Sequence, residues 1–171
     1  GSLTAGTGNV TLNTATGSVV TTGLITGNVL NVTAINTSTL TTNVTTLVAK
    51  VTGAASALTV NETNGLTIGA GNVATNNGTV SIKLAAGAIT SVGRITGKVL
   101  SATAPNTSTL NTNVTTLVAN ISGAAQGLTV NETNGLTIGA GNVATNSGNI
   151  SINLAAGAIT SVGRITGKVL S

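Results

Sequence analysis

The chain contains no cysteine, histidine, aspartate, methionine, phenylalanine, tyrosine or tryptophan in 171 residues. Without cysteine there is no disulfide framework and no thiolate metal site. Without His, Cys, Asp or Tyr, no catalytic triad, zinc-protease motif or acid/base partner can be assembled around the two glutamates. Calcium-binding β-rolls need repeated aspartate, which is missing. Aromatic rings usually fill part of a globular core of this size, so this interior must be narrow enough for aliphatic side chains alone. Charge is scarce too. Only Lys50, Lys83, Arg94, Lys98, Arg164 and Lys168 are basic and only Glu62 and Glu132 acidic, a net charge of +4. Six scattered cations with no stacking rings do not make a nucleic-acid footprint. Low charge with many aliphatic residues also argues against a disordered linker. No apolar run approaches the ~18 residues of a membrane span.

What is present is Thr (35), Gly (23) and Asn (21), with Val, Leu, Ile and Ala. Thr and Val favour strands, whereas Gly and Asn favour tight turns. The local period is two. Val80, Ile82 and Leu84 alternate with Ser81 and Lys83, and Leu58 and Val60 alternate with Thr59 and Asn61. This is the pattern of half-buried strands, and no segment carries a 3.6-residue period.

The long period is seventy. TVNETNGLTIGAGNVATN at 59–76 recurs letter for letter at 129–146, and 36–101 aligns with 106–171 without a gap. The differences are mild: Thr41/Asn111, Lys50/Asn120, Val51/Ile121, Thr52/Ser122, Ser56/Gln126, Ala57/Gly127, Asn77/Ser147, Thr79/Asn149, Val80/Ile150 and Lys83/Asn153. The chain therefore divides into a diverged half-repeat (1–31) and two repeats (32–101 and 102–171) within one solenoid segment. About nine short strands per unit fit three coils of three strands, each coil roughly 20–29 residues long. The expected fold is all-β, a parallel β-helix of about seven coils with a 70-residue super-repeat of three coils.

The runs STLTTNVTTLVAKVTGAASALTVNETNGLTIG and NGTVSIKLAAGAITSVGRITG resemble repeats of filamentous haemagglutinin-like large exoproteins. Those are bacterial surface adhesins exported by two-partner secretion. The resemblance covers essentially the whole chain and rests on three linked features. These are the L-T-V-N-E-x-x-x-L-T-I-G core at 58–69 and 128–139, the N-G-x-V-S-I turn and strand at 77–82, and the A-I-T…I-T-G close. In the second copy Ser147 replaces the turn asparagine. The resemblance implies right-handed coiling, an extracellular position at the bacterial cell surface and a structural shaft rather than an enzyme. The family's amino-terminal secretion domain is not in this window.

Several motifs need weighing. Glu62 and Glu132 are equivalent positions one unit apart, too distant for paired-carboxylate chemistry, which uses ~5–9.5 Å. Flanked by Asn61, Thr63, Asn64 and Gly65, Glu62 reads as an acceptor for backbone donors at a corner. Gly65-x-x-x-Gly69-x-Gly71 lacks the Gly-Lys-Ser/Thr ending of a phosphate loop and reads as corner glycines. Eleven Asn-x-Ser/Thr sequons, from Asn9 to Asn149, would accept glycans only at outward positions. Arg94 and Lys98, repeated as Arg164 and Lys168, are the candidate surface-contact residues. They are expected to form a sparse basic stripe across units, which either keeps the sheet soluble or touches anionic glycans. Thr37-Ser-Thr39 and Thr107-Ser-Thr109 suggest an ice-binding face only weakly, because they recur every 70 residues and not every coil.

No catalytic, cofactor or metal site is expected. The leading reading is a β-helical shaft of a surface adhesin or filament. The alternative is a carbohydrate- or surface-binding module. The expected partners are further copies stacked end to end, or the continuation of a longer array, and surface glycans, with no nucleic acid.

Overall fold

The computed structural model describes all of residues 1–171 and contains strands and turns but no helix. Fifteen strands form one sheet, and their pairings are parallel. Each strand pairs with chain about one coil further on, so the sheet winds into a β-solenoid. Leu12, Val32, Ala49, Val73, Ile95, Thr112, Glu132 and Leu154 stand in one row through successive registers. Eight residues in one row make eight coils, close to the seven expected.

Coil length varies with how the chain turns its corners. The step from Val32 to Ala49 takes 17 residues, whereas the step from Ala49 to Val73 takes 24. The short coil is crossed by Ser38–Val51, a 14-residue strand that passes a corner without breaking and ends just beyond the coil. There Thr45 and Thr46 both face outward between buried Val44 and Leu47. The longer coil inserts the bulged segment Gly69–Asn72, where the register shifts.

Seventy residues do not close a whole number of coils. Ile25 stacks with Thr42, then Glu62, then Leu84. Its equivalent Ile95 stands in another row, on Val73 and Ala49. Three coils from Ile25 end at Leu84, 59 residues on, and the remaining 11 carry the chain about half-way round a fourth. The expected three coils per repeat thus fall short by about half a turn. The cause is that coils average about 20 residues, from 142 residues between Leu12 and Leu154 over seven steps. Equivalent residues of the two copies therefore lie on roughly opposite sides of the rod.

The interior is one cluster of 35 buried Val, Leu, Ile and Ala side chains. Inward residues alternate with outward polar ones, as in Leu58-Thr59-Val60-Asn61-Glu62. Fully burying each Leu or Ile contributes about 1.5–3 kcal/mol, so stacked aliphatic rows carry the fold together with 113 backbone hydrogen bonds. Glycines are needed where a corner presses on the coil before it. A Cβ at Gly78 would overlap the carbonyl oxygen of Ser56, and one at Gly148 that of Gln126. Gly17, by contrast, has open space around it.

Two outcomes are expected in urea unfolding followed by circular dichroism. Leu47→Ala, at a fully buried position, lowers stability by roughly 2–5 kcal/mol. Gly78→Ala costs roughly 1–3 kcal/mol, whereas Gly17→Ala stays within ~0.5 kcal/mol of the parent. Equal losses at Gly78 and Gly17 would contradict the packing described.

Candidate functional site

The two acids are buried at corners, each only 2% exposed. After Glu62 the chain leaves the ladder, while the preceding coil runs on through Val44. The Val44 N–H then faces a gap, and the Glu62 carboxylate fills it. Oε2 accepts from Val44 N at 3.1 Å, and Oε1 accepts from Thr63 N at 2.8 Å and Asn64 N at 3.2 Å. Glu132 repeats this with Val114 N at 3.0 Å, Thr133 N at 2.7 Å and Asn134 N at 3.3 Å. An unpaired buried N–H costs free energy, and each carboxylate meets one, at Val44 or Val114, while it also caps the turn and shares Thr63 N or Thr133 N with the carbonyl of Thr42 or Thr112. The corner role read from the flanking turn residues is what these distances describe.

Other corner groups were hidden in the Thr/Ser background. Ser38 Oγ accepts Val19 N at 2.9 Å and donates to Asn36 O at 2.9 Å. Ser108 does the same with Ile89 N and Asn106 O. Thr75 and Thr145 are buried and donate to Gly78 O and Gly148 O at 3.0 and 2.7 Å. No composition or spacing signal separates these from outward Thr and Ser, which recur at +70 just as they do. Ser91 is different, because its buried hydroxyl has no partner.

Outward residues stack into columns. Thr46, Thr67, Thr90, Thr109, Thr129 and Ser151 stand in register on consecutive coils. Beside this hydroxyl column run Asn111, Asn131 and Asn153, with the Nδ2 of Asn131 and of Asn153 each donating to the Oδ1 of the preceding asparagine at 3.0 Å. The half-turn offset brings threonines from unlike parts of the repeat onto one line, which the sequence motifs do not reveal. The flank is broken at Gly69–Asn72 and Val92–Arg94, so no flat two-column Thr face of the ice-binding kind forms. All eleven sequon asparagines sit at positions that are not buried, although Asn43, Asn113 and Asn131 are engaged in amide pairs.

Arg94, Lys98, Arg164 and Lys168 are all exposed, but they do not form the expected stripe. The half-turn offset puts the second pair on the other side of the rod from the first. Arg94 sits in a loop beside the row of Val73 and Ile95, whereas Arg164 precedes Ile165, which pairs with the row of Val143 and Ala119. In both loops an asparagine side chain holds the backbone: Asn72 Oδ1 accepts Arg94 N at 2.7 Å and Asn142 Oδ1 accepts Arg164 N at 2.8 Å.

No family model, curated protein or solved structure matches this chain.

Replacing Glu62 tests the corner. Glu62→Ala strands the buried Val44 N–H and takes the acceptor from Asn64 N, while Thr63 N keeps the Thr42 carbonyl, and it lowers stability by roughly 1–3 kcal/mol. Glu62→Gln keeps an oxygen toward Thr63 and Asn64 but turns an NH₂ toward Val44, and costs less. Hydrogen exchange should accelerate at the Val44 amide in both variants while the Val114 amide stays protected. Unchanged exchange at Val44 would contradict the assignment.

Proposed function

We propose that this chain is a length of rigid extracellular shaft, the β-solenoid stalk of a bacterial surface adhesin or filament, without catalytic activity. One observation carries the reading: eight coils on a continuous parallel ladder, with both acidic side chains committed to holding corners. Such a body works by stiffness and length. The near-identity of the two copies suits it, since a shaft is lengthened by duplicating a unit whose ends match in register. The resemblance to filamentous haemagglutinin-like repeats supports the surface location.

Length should scale with unit number. Adding 70-residue units should extend the particle by ~16–17 Å each, three and a half coils at ~4.7–4.9 Å, in small-angle scattering or negative-stain images. Antibody labelling of intact cells of the parent organism should reach the protein without lysis. Sublinear growth would remove the rigid-rod reading, and labelling only after lysis would remove the surface one.

A further inference from the structure

A groove beside Arg94 is not used by the shaft reading. It has a volume of about 570 Å³ and is lined by Ala70, Asn72, Arg94, Thr96, Asn111 and Asn131, among others. It runs over five coils, from Ala70 and Asn72 to Ala155, ~19 Å along the axis, with the Val92–Arg94 loop one coil in from one end and Asn111 and Asn131 along its floor.

The lining is rich in donors. Asn111 Nδ2 donates to Ser91 O at 2.8 Å, and Asn131 Nδ2 donates to Asn111 Oδ1 at 3.0 Å. Each amide thereby spends one N–H within the column and keeps a second. Asn72 spends its oxygen on Arg94 N and keeps its NH₂ group. The Arg94 guanidinium adds a fork of N–H donors and a positive charge. The chain's only acidic side chains are buried, and Glu132, which also lines this groove, has its carboxylate engaged by three N–H groups.

We infer that this groove binds a carboxylate-bearing polysaccharide, with an acid group on Arg94 and hydroxyl and ring oxygens on Asn72, Asn111 and Asn131. Arg matches a carboxylate through two parallel hydrogen bonds. Ordered amides suit an oxygen-rich, weakly apolar chain. A single-stranded nucleic acid fits less well, because it asks for several cations along its backbone and rings to stack on, and the groove has one cation and no ring. The inference does not depend on the shaft reading, since a binding groove can sit on a rod or on an isolated module.

The test is titration of the ¹⁵N-labelled chain with a short oligogalacturonate. Saturable amide shifts are expected at Asn72, Arg94, Asn111 and Asn131. Arg94→Gln should weaken binding about tenfold, the loss of one charge-assisted contact, and Arg94→Lys by less. Arg164→Gln, in the equivalent loop on the other side, should leave the affinity unchanged. The fully methyl-esterified oligomer should bind as weakly to the parent as the acid does to Arg94→Gln. The inference is overturned if no saturable shift appears at millimolar oligomer, if the ester binds as well as the acid, or if Arg164→Gln loses as much as Arg94→Gln. Tighter occupation of the same residues by oligo-dT would reassign the groove to nucleic acid.

Discussion

In a parallel ladder each coil supplies the backbone partners of the next, and the chain can leave that ladder only at corners. Every departure orphans N–H and C=O groups on the coil that runs straight on. The polar residues with defined tasks are the ones that meet those orphans. Glu62 covers Val44, Ser38 covers Val19, and Asn72 covers Arg94. These are short local solutions that need neither metal nor disulfide, which is how a chain without cysteine holds a long body together. Turn residues do the rest: Asn72 and Asn77 take φ of 70° and 59°, a conformation asparagine tolerates better than most.

Some differences between the copies change how neighbouring coils are tied together. The column Thr41–Asn61–Lys83 of the first copy becomes Asn111–Asn131–Asn153 in the second. Two of the ten substitutions thus convert a mixed column into a continuous amide ladder. Gln126, where the first copy has Ser56, accepts Thr107 N at 2.9 Å and adds a side-chain tie to the preceding coil. Ser147, in place of Asn77, takes a φ of 61°, which suits it less. Nothing in the structure explains the change from Lys50 to Asn120.

The solenoid was legible because its inward rows write an apolar letter at every second position, as in Val80-Ser81-Ile82-Lys83-Leu84. Gly and Asn marked many corners in the same way. The corner at Val48, opposite the Gly69–Asn72 insertion, carried no such mark, because Leu47-Val48-Ala49-Lys50-Val51 reads as one alternating strand. Missing it lengthens the inferred coil, and three coils then fill one unit. The basic stripe failed for that reason alone, since residues 70 apart align only if the unit closes on itself. Buried Ser38, Ser108, Thr75 and Thr145 were illegible for a different reason. A hydroxyl that serves the backbone from inside has the same letter as one that faces water.

The half-turn offset also bears on how such a rod meets its surroundings. A unit that closed in whole coils would stack every exposed feature into one line, so an apolar outward residue such as Val92, 67% exposed, would recur along one side of the rod about every 14 Å. Apolar residues gathered on one side invite lateral pairing. Here Val92 and its equivalent Val162 face different sides, and two units of 140 residues return to the starting side only after about seven coils. The polar columns escape this dilution because they draw on unlike parts of the unit, as Thr46, Thr67, Thr90, Thr109 and Thr129 do. The same offset therefore scatters repeated motifs around the rod while lining up hydroxyls and amides along it. A groove such as the one beside Arg94 arises only where a loop of one unit meets a column of another.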